Sequence, residues 1–102
     1  MYNVTFAGVL KEEVPLIEEY MPVLVRVHGE NHPELAQVQE VFLKLNKKVQ
    51  AEDIDQLDIA PEFMELRQIT NNYTLPKDAC ETYIATYEML QAVEIAYIKY
   101  RG

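Results

Sequence analysis

Apolar residues recur three and four positions apart along most of this chain, and only 3 of its 102 residues are glycine. The spacing lays apolar stripes along a 3.6-residue period, and the scarcity of glycine removes the commonest helix breaker, so helices are the expected elements. A first helix is predicted from about Phe6 to His28, with Leu10, Val14, Ile17, Met21 and Leu24 on one face. That stripe reaches Ala7 when continued backward and His28 when continued forward, which points His28 inward. Pro15 and Pro22 are expected to kink or split the helix. In the second helix Pro33 suits the first position, Asn31 or His32 can cap it, and Glu34 falls where the dipole favours a carboxylate. Its stripe reads Leu35, Val38, Phe42, Leu45 and Val49; the next step is Glu52, a carboxylate on an otherwise apolar face.

The third helix, Pro61 to about Asn71, is short and carries Phe63, Leu66, Ile69 and Tyr73 on its apolar side. Asn71-Asn72 is its expected stop, because asparagine tolerates the left-handed conformation. The fourth helix is predicted from Thr74 or Pro76 to about Tyr100, with Tyr83, Thr86, Leu90, Val93, Tyr97 and Tyr100 on one stripe, broadened by Cys80, Ile84 and Tyr87. The acidic stretch between the second and third helices, Glu52 to Asp58, reads as a loop or a frayed helix end. Short connections favour antiparallel neighbours, hence an all-α, up-and-down four-helix bundle forming one domain over residues 1–102.

Composition excludes several functions. A formal net charge of −8 and a pI near 4.6 make the chain a poor ligand for nucleic acid and for anionic membranes. No apolar run approaches the ~20 residues needed to span a bilayer. The first residues, Met1-Tyr2-Asn3-Val4-Thr5, lack the basic-then-apolar order of a secretory leader. The single cysteine, Cys80, forms no internal disulfide, which fits a cytoplasmic location.

The stretch His28-Gly29-Glu30-Asn31-His32-Pro33-Glu34-Leu35 holds both histidines of the chain beside carboxylates, the materials of a metal or acid–base site. Gly29 and Pro33 put the pair in a turn, which argues against a shared face, and neither a His-Glu-x-x-His pattern nor a cysteine–histidine zinc spacing is present. His32 then reads as a capping or solvent-facing residue, and His28 as a hydrogen-bonded histidine at a helix end. Glu52 and Gln56 stand four apart; Glu52 could ligate a metal if His28 faced it, and otherwise belongs to a solvated helix end. Asp53, Asp55 and Asp58 lack the glycine and terminal glutamate of a calcium loop. Cys80, with no adjacent base, reads as a small buried hydrophobe, and the tyrosines of the fourth helix as packing residues. No phosphate loop, nucleophile elbow or dinucleotide fingerprint occurs, so no catalytic residue is assigned.

Two stretches resemble the iron–sulfur cluster repair di-iron (RIC) family, whose C-terminal domain is hemerythrin-like. One runs from Leu10-Lys11-Glu12-Glu13-Val14-Pro15-Leu16-Ile17 through Arg26-Val27-His28-Gly29-Glu30-Asn31-His32-Pro33-Glu34-Leu35; the other is Leu66-Arg67-Gln68-Ile69-Thr70-Asn71-Asn72-Tyr73-Thr74-Leu75-Pro76-Lys77-Asp78-Ala79-Cys80-Glu81-Thr82-Tyr83. The resemblance implies a bundle holding two irons between histidines and bridging carboxylates, and a role in repairing iron–sulfur clusters under oxidative or nitrosative stress. It aligns His28 with the histidine that ends the family's first helix. The earlier histidine of that helix falls on Ala7, the His-x-x-x-Glu pair of helix two near Glu52 and Gln56, and the histidine of helix four on Tyr100. The His-Asp-Glu start of helix three is missing together with its preceding loop, and the last glutamate of helix four lies beyond Gly102. The family's separate N-terminal cysteine-containing domain has no counterpart here.

The resemblance therefore implies a ligand-depleted, non-enzymatic relative with a shortened helix 2/helix 3 end, an interaction or regulatory module in which no iron is expected. The alternative is a residual or intersubunit iron site, with His28 and Glu52 as its metal ligands, acting in cluster repair or the stress response. Helices of about 24 residues span roughly 36 Å, more than the short third helix covers. A homodimer through helices one and four, including Tyr97 and Tyr100, is the expected assembly; no other protein partner is specified.

Overall fold

A computed structural model describes residues 5–102; residues 1–4, within the segment read above as lacking a leader, lie outside it. Among the described residues the chain is all-α: α1 (Phe6–His28), α2 (Glu34–Ala51), a 3-10 turn (Ile54–Gln56), α3 (Ala60–Thr70) and α4 (Glu81–Arg101). The expected all-α class with four helices is the one observed. Among the described residues no helix is long and apolar enough to cross a membrane. The residues divide into two compact units, one holding the chain to Met21 together with Leu75–Gly102, the other Pro22–Thr74.

The expected kink or split of α1 does not occur; the helix runs unbroken through both prolines. Pro15 and Pro22 stand seven residues apart on the exposed side. A proline contributes no amide to the helix ladder, and on the exposed side water can serve where that amide is missing, so the loss does not force a break. Val14, Ile17, Met21 and Leu24 are buried as expected. Nearer the start the inward face is carried by Phe6 and Val9, while Ala7 is exposed.

In the first unit the buried face of α4 comprises Tyr83, Thr86, Tyr87, Leu90, Val93 and Tyr97, with the carboxylate Glu94 buried beside them. Tyr83 and Tyr87 meet edge-on at 5.1 Å and 71°, the geometry that the aromatic quadrupole favours. Phe6 lies between Tyr97 and Tyr100, at ring distances of 5.6 and 5.3 Å, so the start of α1 meets the end of α4. The helix begins later than its sequence suggests. Pro76 opens a turn closed by the Ala79 amide donating to the Pro76 carbonyl (3.2 Å), and Cys80 is extended, so the first helical residue is Glu81. Cys80 thereby lies outside the helix and is exposed rather than buried.

In the second unit α2 buries Leu35, Val38, Val41, Phe42 and Leu45, and α3 packs against it with Phe63 and Leu66. Two cross-helix ion pairs give the direction: Lys44 meets Glu65 at 3.4 Å and Lys48 meets Glu62 at 3.0 Å. Advancing along α2 retreats along α3, so the helices are antiparallel, as expected. The acidic stretch between them is an ordered connection. Leu57 and Ile59 are buried, and the Asp58 carboxylate accepts the Ala60 amide at the head of α3 (3.3 Å). Lys48 ties the connection down, its ammonium donating to the Asp58 carbonyl (2.9 Å) and to Glu62 Oε1 (3.1 Å).

The α1–α2 turn depends on Gly29. Its amide donates to the Val25 carbonyl at 2.8 Å, and a Cβ at this position would sit 2.3 Å from the same oxygen. Close approach, not a left-handed backbone, is what requires glycine, since no glycine has positive φ among the described residues. At the other end of the unit three consecutive residues, Asn71, Asn72 and Tyr73, have φ of 52, 59 and 60°. The expected asparagine stop is present, and Tyr73 extends it at a conformation rare for an aromatic residue.

The hydrogen bond from Lys48 to Glu62, with the surrounding acidic charge, holds the Lys48 ammonium above its ordinary pKa of 10.5. A folded-state pKa above the unfolded one adds stability that is complete below 10.5 and is lost as pH rises through the folded value. Lys48→Met is expected to cost about 1–2 kcal/mol at neutral pH, chiefly by leaving the Glu62 carboxylate buried beside an apolar chain. Solvent screening of Lys48, 37% exposed, keeps the figure below that of a fully buried pair. Urea unfolding at pH 7 and pH 11 should show the variant losing less stability than the parent between them. Gly29→Ala, in which Cβ and the Val25 carbonyl must separate, should cost about 1–3 kcal/mol in the same assay.

Candidate functional site

The α1–α2 turn brings together what the sequence suggested it would keep apart. The His32 amide donates to the His28 carbonyl at 2.8 Å, the four-residue hydrogen bond of a helical turn. Gly29 and the residues after it therefore continue the winding of α1, although they lie outside the regular helix. The two imidazoles leave the backbone on the same side, with ring centroids 6.3 Å apart and planes inclined by 42°. The reading that a turn would deny them a shared face is corrected; Gly29 ends the helix by its tight approach to Val25 without unwinding this turn.

His32 is not the side-chain cap of α2, nor is Asn31. Pro33 is the N-cap, with no side-chain cap hydrogen bond. Backbone bonds serve instead, from the Leu35 amide to the His32 carbonyl (3.0 Å) and from the Ala36 amide to the Pro33 carbonyl (3.2 Å). The His32 ring is turned so that Nδ1 lies 3.5 Å from Glu34 Oε1, with His32 18% and Glu34 37% exposed. Glu34 stands in the first turn of α2, as expected. His28, expected to point inward, is half-buried at the end of α1.

The other candidates lie apart from this cluster in role. Glu52 is the C-cap of α2, its amide donating to the Lys48 carbonyl (3.0 Å) and its side chain exposed. Gln56 ends the 3-10 turn and is exposed too, so the pair does not share a helix. Among the described residues no group of three or more histidine, cysteine, aspartate or glutamate side chains is placed to hold a metal ion.

Sequence reasoning missed the two buried carboxylates. Glu62 was legible only through its partner: it lies in the first turn of α3, and Lys48 lies one turn before the end of α2. Glu94 stands seven residues after Tyr87, a spacing that puts it on the buried stripe of α4.

No protein-family model matches the sequence, and no solved structure matches it. Curated relatives do. The iron–sulfur cluster repair protein ScdA of Staphylococcus epidermidis is 28% identical over 116 aligned positions, which take in 83% of this chain and 52% of that protein. The protein of the same name from Staphylococcus haemolyticus is 24% identical over the same shares. The chain thus spans about half the length of the curated relatives it matches. These similarities support a distant kinship with the iron–sulfur cluster repair proteins.

Proposed function

We propose that this protein is a hemerythrin-like relative of the iron–sulfur cluster repair proteins from which most di-iron ligands have been lost, and that it is a non-enzymatic interaction or regulatory module. Donor chemistry carries this reading. Of the positions aligned with family ligands, only His28 offers an imidazole. Ala7 has no donor and is exposed, Tyr100 rests its ring near Phe6 at 5.3 Å, and Gln56 is a neutral amide on the surface. A di-iron bundle centre takes histidines and carboxylates projecting inward from several helices. The residues present do not fit such a centre. Kinship with the repair proteins supports a role for the module in the same cellular task, protection of iron–sulfur clusters under stress, in the cytoplasm.

The exposure of Glu52 favours one second reading, an iron shared between two copies through His28 and Glu52 of each. Metal analysis and an absorbance spectrum of protein purified without oxygen distinguish the two. Less than a tenth of an iron per chain is the expected result; one or two irons per chain, with a ligand-to-metal absorption band, would sink the ligand-depleted reading. Iron near one per dimer that disappears in Glu52→Gln would establish the shared site instead.

Self-association through α1 and α4 belongs to the same proposal. Leu16, Ile95, Ile98 and Tyr100 are between 42 and 57% exposed on these two helices, whereas Tyr97 is a core residue at 6%. Exposed apolar side chains on both helices support this reading, since large apolar patches usually mark an interface. Light scattering at micromolar concentration should give a dimer mass, and Ile95→Glu with Ile98→Glu should give a monomer of unchanged helicity. A monomeric parent protein would overturn the assembly.

A further inference from the structure

We propose that His28 and His32 form a two-histidine chelate for a borderline divalent transition ion, of which Zn2+ is the simplest probe, with Glu34 orienting His32. The site uses one side of a single turn and does not rest on the loss or retention of an iron centre.

Three observations carry it. The hydrogen bond between the His32 amide and the His28 carbonyl fixes the backbone that bears both rings, so their approach is set before any ion arrives. Two imidazoles bound at ~2.0–2.1 Å to one tetrahedral ion have ring centres about 5 Å apart. The observed 6.3 Å must close by about 1 Å, which side-chain rotation at two partly exposed residues supplies. Finally, the Glu34 carboxylate lies on the Nδ1 side of His32 at 3.5 Å. A carboxylate there favours the tautomer with its proton on Nδ1 and directs Nε2 toward a metal, the usual arrangement behind a ligating histidine. Imidazole nitrogen suits zinc, copper and nickel, and water would fill the remaining coordination positions of so open a site.

The donors to the ion are two, and Glu34 acts through His32 rather than on the metal. Glu34 is a positioning residue. Its removal should weaken binding by roughly 10-fold, the low end of the effect of such outer carboxylates.

The test is a zinc titration of the full chain without an affinity tag, followed by the imidazole carbon–proton signals in NMR. Both histidine signal sets should move together and saturate near one ion per chain. His32→Ala, checked for parent-like helicity by circular dichroism, should weaken binding by about tenfold or more; Glu34→Gln should weaken it less. Glu52→Gln and Cys80→Ser should leave it unchanged. Histidine signals that stay still at millimolar zinc would overturn the proposal, as would binding that survives His32→Ala at full strength. His28 is common to this chelate and to an iron shared through Glu52, and the variants tell them apart: loss of metal in Glu52→Gln marks the shared iron, loss in His32→Ala the chelate.

Discussion

An isolated helix of 11 residues is marginal in water, so the second unit depends on what packs against α3 and what secures its two ends. Burying Phe63 and Leu66 supplies roughly 1.5–3 kcal/mol each, more than helix propensity can contribute over such a length. The ends are secured by different chemistry. At the start, Lys48 reaches across from α2 to Glu62 and to the Asp58 carbonyl, while Leu57 and Ile59 tuck the preceding connection into the interior. A stretch that is acidic by composition is thereby folded back by two apolar residues and one ammonium.

At its far end α3 is closed by a left-handed turn whose strain is met locally. The Thr70 hydroxyl donates to the Leu66 carbonyl at 2.7 Å and accepts the Tyr73 amide at 2.8 Å. The Asn72 amide returns to the Arg67 carbonyl at 2.8 Å, and the Arg67 guanidinium stands 5.2 Å over the Tyr73 ring. A non-glycine residue held at positive φ costs on the order of 1–3 kcal/mol. Two hydroxyl bonds, a cation over an aromatic face and the burial of Tyr73 act against the cost that Asn71, Asn72 and Tyr73 each carry. The chain leaves this turn toward Pro76 already committed to a non-helical path, which is why α4 waits until Glu81.

What could be read from the residues was the periodic part. The stripes Val14–Ile17–Met21–Leu24, Leu35–Val38–Phe42–Leu45 and Tyr83–Leu90–Val93–Tyr97 are buried where spacing put them, because burial of a face is a property of one helix at a time. The errors fell where a second element or a turn decides the outcome. Pro15 and Pro22 were read by their usual effect on a helix, but their seven-residue spacing keeps both on the water side. Cys80 was assigned to a helix that begins one residue later. Glu62 is buried because of a lysine on another helix, which no local pattern reports. Gly29 and Pro33 argue for separating His28 and His32, yet the backbone hydrogen bond from the His32 amide to the His28 carbonyl spans Gly29 and keeps a helical turn between them.

That register changes what His28 can do. A histidine facing only an apolar interior could bind no ion from water. Here His28 stands half-buried at the mouth of a turn, beside a second imidazole. The buried carboxylates are no substitute for bridging ligands: the charge of Glu62 is held by Lys48, and Glu94 lies in the other unit. The proposed chelate needs no bridging carboxylate: its two imidazoles and one orienting carboxylate lie within a single stretch of seven residues at the surface turn.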